Sequence, residues 1–249
     1  MAVNKHPTIQ RNFDECLRKR NFKVNGILVA TPIPELLRGI NSHYHTDPTT
    51  HYTRVKRDFE GFEIKVTAGA PILDWGCSVG ATTVAIANMY PRNPVYGIDI
   101  SEVRIKIAAE KTIKEAQDGY VSVYMKNLGC MVHEYISEPK PLRLPKFFVA
   151  DGFMPPFADN SFAMVYCMHN IYYSFERVNN DQMRKMLAPI ASIISPGGYL
   201  MISGGRANLS LESMALRKGD GFSVAFTNFS PDKDGAGERI GRILDMLRP

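Results

Sequence analysis

Hydrophobic and polar positions along this chain follow two rhythms. Short apolar runs bounded by proline, glycine or aspartate predict strands, and apolar residues recurring every three or four positions predict helices. Ile72 and Leu73 follow Pro71 and precede Gly76 and Gly80, and Thr82, Ala85, Ile86 and Met89 then recur at helical spacing. This reads as a strand, a glycine turn and a helix. Residues 94–100 predict a second strand ending on Asp99, after which Ser101 caps a helix with Ile105, Ala108, Ala109, Thr112, Ile113 and Ala116 as its inward stripe. A third strand at 146–150 delivers Asp151, and a fourth at 163–168 carries His169, Tyr172 and Tyr173 beyond its carboxyl end. Met183, Met186, Leu187, Ile190, Ala191 and Ile194 mark a helix with a kink at Pro189, stopped by Ser195-Pro-Gly-Gly198 ahead of a strand at 199–203. Beyond it, 210–218 reads as helical, 222–229 as extended and 238–247 as helical.

Alternating strands and helices predict an α/β fold with a mostly parallel sheet, right-handed crossovers and helices on both faces. Residues 1–68 break this rhythm. Phe13, Cys16, Leu17 and Arg20 have helical spacing, Pro32 and Pro34 interrupt it, and 35–40 is a short helical segment. A helical cap over 1–68 and a core domain over 69–249 follow. The pattern also loosens at 120–145, where only 121–124 reads as extended, as an insertion at a sheet edge would.

The glycine turn is where chemistry enters. A strand feeding a helix through glycines leaves bare backbone and unpaired N–H groups at a positive dipole end, which is a cradle for a nucleotide-like ligand. Asp99 lies nineteen residues past Gly80, the distance at which a carboxylate on the next parallel strand comes level with a ribose over the turn. The net charge of +5 is spread along the chain rather than gathered, which suits a solvated face better than a nucleic-acid track. No run approaches the roughly 18 apolar residues of a membrane span, and the polar, basic start lacks a secretory pattern. Cys16, Cys77, Cys130 and Cys167 show no paired spacing, pointing to reduced thiols and a cytoplasmic protein. His43, His45 and His51 have no spacing that fixes a metal site, so no metal is expected.

Four segments resemble the class I S-adenosylmethionine-dependent methyltransferases, in particular small-molecule enzymes similar to the ubiquinone/menaquinone C-methyltransferases. The likeness spans roughly residues 70–204 and rests on Asp74-Trp-Gly-Cys-Ser-Val-Gly80, Val95-Tyr-Gly-Ile-Asp-Ile-Ser101, residues 151–162, and Ser195-Pro-Gly-Gly-Tyr-Leu-Met-Ile202. Ser78 stands where a glycine is commoner, and Ala163 where an aspartate is usual. The resemblance implies a Rossmann-like, seven-stranded type of sheet with S-adenosylmethionine as cofactor. It also implies that Asp74, Gly76, Cys77, Ser78 and Gly80 line the methionine and ribose part. By the same likeness Asp99 holds the ribose hydroxyls, Ile100 packs on the adenine, Asp151 and Gly152 meet the adenine edge, and Cys167 and Met168 lie beside the methionine.

His169, Tyr172 and Tyr173 are the candidates for handling the acceptor's proton, at the strand end where acceptors lie in such sheets. Tyr44, His51 and Tyr52 of the cap are candidates to close over the acceptor. Trp75 and Val79 read as core contacts. Gly76-Cys-Ser-Val-Gly80 also satisfies the nucleophile-elbow pattern, but few strands precede it and no histidine follows His169. A nicotinamide-binding fold would show a different glycine spacing, and Met154-Pro-Pro-Phe157 follows the third strand where an amino-methyltransferase motif closes the fourth. A small organic acceptor is the expectation. An RNA or protein acceptor, or a non-catalytic cofactor-binding role, is the alternative.

Overall fold

The computed structural model describes residues 59, 61–112, 120–125, 130–135, 144–168, 179–203, 213–227 and 236–248. Strand β1 (Ile72–Trp75) is buried at all four positions, as a strand covered on both faces must be. It leads through a glycine turn into α1 (Ala81–Met89), then into β2 (Val95–Asp99). The Ser101 hydroxyl caps α2 (Glu102–Ile107), accepting from the Arg104 N–H at 3.4 Å. The helix then widens into a π segment at Ala108–Thr112. There the expected stripe is displaced: Ile105, Ile107 and Ala108 are buried and Ala109 is exposed. A π turn takes up more residues per turn than the α-helical period assumes, so a spacing carried across it points to the wrong face. Ile113 and Ala116 lie outside the described residues.

An antiparallel pair follows, β3 (Tyr120–Met125) with β4 (Cys130–Tyr135), forming a separate two-stranded sheet. The chain returns through β5 (Lys146–Val149) and β6 (Phe162–Met168), then α3 (Asn180–Ile193) and β7 (Ile194–Ser203). It continues with β8 (Ser213–Lys218), β9 (Phe222–Thr227) and α4 (Ala236–Met246). The main sheet has seven strands in the order β5-β2-β1-β6-β7-β8-β9. The first five are parallel, and β8 and β9 each turn antiparallel to the strand before. Chain order reverses between β1 and β6, so a crevice opens outside their carboxyl ends.

The expected helix at 210–218 is corrected by β8. Met214, Ala215 and Leu216 favour helices intrinsically, but all three are buried, with Met214 opposite Ile202 and Leu216 opposite Leu200. Long-range pairing outweighs local preference. Nor does Ser195-Pro-Gly-Gly198 form a loop between helix and strand. β7 begins at Ile194 directly after α3, and the register slips between Phe162 and Met164 as this segment bulges. Gly198 is packed so tightly that an added Cβ would lie 2.8 Å from the Ala163 carbonyl oxygen.

Two apolar layers sandwich the sheet. One joins Leu73, Trp75, Ile98, Val165 and Cys167 to Met183, Leu187 and Ile190 of α3 and Ile240 and Ile243 of α4. The other joins Ile72, Met164 and Tyr166 to Ala85 and Ile86 of α1, and to Phe59, Phe62 and Ile64. These last three precede the expected domain boundary yet pack in the sheet's own core; residues 1–58 of the expected cap lie outside the described residues. At the carboxyl end of α3 the Lys218 ammonium donates to the carbonyls of Ala191 (2.8 Å) and Ile194, and the Asn160 N–H donates to Ser192 O at 2.9 Å. Carbonyls that a helix end leaves without partners are thereby satisfied by a cation and an amide.

Candidate active site

The turn between β1 and α1 is built from alternating left-handed residues: Gly76 at φ 77, Ser78 at φ 53 and Gly80 at φ 88. Glycine takes this conformation freely, whereas a serine is held there at a cost on the order of 1 kcal/mol. What holds it is Asp99. The Ser78 N–H donates to Asp99 Oδ2 at 3.0 Å, while Gly76 and Cys77 both donate to the Ile98 carbonyl at 2.8 Å. The loop is thus fastened to the end of β2 by backbone and by a charge-assisted bond.

Asp99 is 7% exposed. Its Oδ1 accepts from the Ser101 N–H at 2.8 Å, and Arg104 Nη1 lies 4.0 Å from Oδ2. An ionised carboxylate offers about four acceptor sites, and the two backbone N–H groups leave capacity for a pair of hydroxyls. Asp74 points beneath the loop, 1% exposed, with the Thr83 hydroxyl donating to its Oδ2 at 2.6 Å. Burial pushes its carboxyl up to about 7, with the Thr83 bond opposing and the Asp99 charge adding. Burial, with the charges of Asp74 and Asp99, also raises the Cys77 thiol well above the usual range. The thiol is therefore protonated, and an added Cβ on Gly97 would lie 2.9 Å from its Sγ. Gly76, Ser78 and Val79 are half-buried and form the outer surface of the turn.

Phe147 of β5 braces this loop from behind. A Cβ placed on Gly97 would lie 2.7 Å from its ring, and one on Gly80 would lie 2.8 Å from it. On the other side of the sheet, Trp75 is 3% exposed and stands edge-to-face with Phe153 at 4.8 Å. Asp151 is 1% exposed and closes its own turn, Oδ1 accepting from the Phe153 N–H at 2.9 Å. Ile100 and Gly152 are half-buried at the same rim. Cys167 is fully buried opposite Trp75, and Met168 ends β6 opposite Ser203.

The structure therefore joins Asp74, Gly76, Cys77, Ser78, Gly80 and Asp99 in one bonded group and brings Asp151 and Gly152 to the same rim. His169, Tyr172, Tyr173, Tyr44, His51 and Tyr52 lie outside the described residues. Trp75 is a core contact, as its type and position predict, whereas Val79, expected in the core with it, is half-buried on the outside of the turn. Sequence reasoning missed Thr83 as the partner of Asp74; its place one turn into the helix that follows the glycines is a local signal that could have pointed to it. Phe147 had no such signal, since it lies fifty residues from Gly97.

The chain matches the family described as "Methyltransferase domain" over residues 73–202. It is similar to the O-methyltransferase cnsE of Penicillium expansum, 26% identical over 178 residues, covering 69% of this chain and 53% of that protein. It is also similar to the O-methyltransferase resE of Aspergillus sclerotiorum, 28% identical over 170 residues, covering 66% and 52%. The chain thus spans about half the length of the curated relatives it matches. Among solved structures it is similar to an S-adenosylmethionine-dependent methyltransferase from Aquifex aeolicus, with a TM-score of 0.46, 17% identity, and 72% of this chain and 79% of that one covered. The family match runs from Leu73 through the bonded loop, Asp99 and Asp151 to Ile202, more than half of the chain, and the chain belongs to the methyltransferase domain family, whose cofactor is S-adenosylmethionine.

Proposed function

We propose that the protein transfers a methyl group from S-adenosylmethionine to a hydroxyl of a small organic acceptor. One observation carries this reading: the 3.0 Å bond from the Ser78 N–H to Asp99. It puts the bare-backbone bend and the carboxylate within the span of a single adenosine. The donor set fits the cofactor, because Asp99 keeps acceptor capacity for a vicinal diol and the outer surface of the turn carries only Gly76, Ser78 and Val79. The bound cofactor supplies a sulfonium methyl for in-line displacement.

In this reading Asp99 holds the ribose hydroxyls, and Gly76 and Ser78 meet the ribose and methionine part. Asp74, Cys77 and Gly80 shape the loop from beneath. Ile100, Asp151 and Gly152 border the adenine, with Cys167 and Met168 on the methionine side. His169, Tyr172 and Tyr173 are the candidates for the one base that takes the acceptor's hydroxyl proton as its oxygen gains the methyl group, the others shaping the pocket, and Tyr44, His51 and Tyr52 close over the acceptor. Positioning dominates such a transfer, since little charge must be created. A hydroxyl acceptor is supported by the relatives named as O-methyltransferases. Among the described residues no helix is long and apolar enough to cross a membrane, and a reducing cytoplasm suits Cys77 and Cys167, neither of which is in a disulfide.

Calorimetry with S-adenosylhomocysteine beside NADH tests the cofactor. Binding of the first alone is the expected result, and binding of NADH alone would overturn the reading. Methyl-labelled cofactor offered with a panel of small hydroxylated compounds, RNA and protein tests the acceptor. Label should pass to a small molecule; label found only in RNA or protein, or in nothing, would reject a small acceptor.

A further inference from the structure

Gly152 is a glycine without a conformational reason to be one. The left-handed glycines among the described residues are Gly69, Gly76, Gly80 and Gly197, and Gly152 is not among them. Its reason is space. A Cβ added there would lie 1.5 Å from Trp75 Nε1, 2.3 Å from Cδ1 and 2.6 Å from Cε2. No side chain fits while the indole is in place. The indole cannot easily give way, because it is 3% exposed and meets the Phe153 ring edge-on at 4.8 Å and 88°.

The position of this contact gives it meaning. Trp75 ends β1 and is bonded directly to Gly76, the first residue of the glycine turn. Gly152 lies in the turn after β5, whose Asp151 and Phe153 are tied by the Oδ1 to N–H bond. In the sheet, β2 separates β1 from β5, so the indole spans a strand to join two loops that are not sequence neighbours. A stiff aromatic ring seated on bare backbone transmits displacement with little slack, since close-packed interiors are not continuously deformable.

We infer that Trp75 is a positioning residue, which, through its seat on Gly152, fixes the turn at 151–153 relative to the glycine turn at 76–80. This rests on the reading above, in which those two turns border the adenine and the ribose-methionine part of one cofactor. The indole then sets the spacing between the two grips, and Gly152 is its obligatory partner.

The test uses S-adenosylhomocysteine and needs no acceptor. Trp75 is the sole tryptophan in the chain, so its emission reports this contact in the unaltered protein and should shift on titration. By calorimetry, Gly152→Ala should weaken binding at least tenfold. In a Trp75→Leu background, itself several-fold weaker than wild type, adding Gly152→Ala should change affinity less than threefold, because the obstacle is gone. Trp75→Phe should recover most of the affinity lost in Trp75→Leu. A general structural role would not make the penalty at 152 depend on the residue at 75. If wild type binds S-adenosylhomocysteine but its emission does not move, or Gly152→Ala costs the same with and without Trp75, the inference fails and the cofactor reading stands. If wild type binds none, the cofactor reading itself fails. Should Gly152→Ala not fold alone, the emission titration and the affinities of Trp75→Leu and Trp75→Phe still decide.

Discussion

At the carboxyl rim of the parallel strands, Ser78 is held at φ 53 and Asp74 is buried with a hydroxyl as its bonded partner. At the opposite rim, where α3 runs into β7, Lys218 and the Asn160 N–H close the helix carbonyls. Each rim holds a left-handed residue, Ser78 at the first and Asn160, at φ 56, at the second. Asparagine visits that region more readily than serine, so the first rim carries the larger strain together with an acid kept from water, and the second satisfies groups that would otherwise be costly. Strain at a rim is affordable only when the surrounding structure over-determines it, and here β2 and the brace of Phe147 supply that support. The division predicts that substitutions at the first rim alter binding and pH response, and those at the second alter stability alone.

The largest effect should come from Asp99→Ala. It removes a carboxylate from the ribose hydroxyls and from Ser78, and charge-assisted bonds are worth about 1.5 to 3 kcal/mol each. S-adenosylhomocysteine affinity should fall roughly a hundredfold by calorimetry; an unchanged affinity would remove ligand binding from this rim. Next is Asp74. Its folded-state value of about 7 lies above the roughly 3.9 of an unfolded aspartate, so the native state binds the extra proton between those values. Stability of the ligand-free protein should therefore fall as pH rises from about 4 to about 7 and level off above. Urea titrations across that range should show the slope flattened in Asp74→Asn.

Lys218→Met should cost about 1 kcal/mol in a urea titration, through freed carbonyls at the end of α3, and leave S-adenosylhomocysteine affinity unaltered. A change in affinity would blur the two rims. Smallest is Ser78→Gly, which relieves the left-handed serine and should raise stability by about 0.5 kcal/mol. A loss there would mean that the serine side chain contributes more than its backbone strain takes away.

Three strands of the parallel half were legible because each is a compact apolar run that ends at an acid. Leu73 before Asp74, Ile98 before Asp99 and Ala150 before Asp151 mark their own ends. At the antiparallel end β9 was legible as an extended segment, but β8 was not, because Met214 to Leu216 carry helical preference and become a strand only by lying against Leu200 and Ile202. The bulge at Ser195-Pro-Gly-Gly198 was read as a plain stop for a similar reason, since slippage against β6 is a property of two strands and not of one. In the site, glycine spacing marked the turn, and the distance to Asp99 marked its partner. The orientation of Asp74 toward Thr83, and the seating of Phe147 and Trp75 on glycines, depend on contacts between distant segments that carry no local pattern.

The ring of Phe147 leaves an inherited constraint. It occupies the volume that a side chain at either Gly97 or Gly80 would need, so these three positions cannot drift independently. Descendants of this chain that acquire a methyl group at position 97 should have first exchanged the aromatic ring at 147 for something smaller and shifted the Cys77 sulfur, which lies 2.9 Å from the same point, and a lineage with alanine beside an intact phenylalanine would have had to move the whole edge strand outward as well.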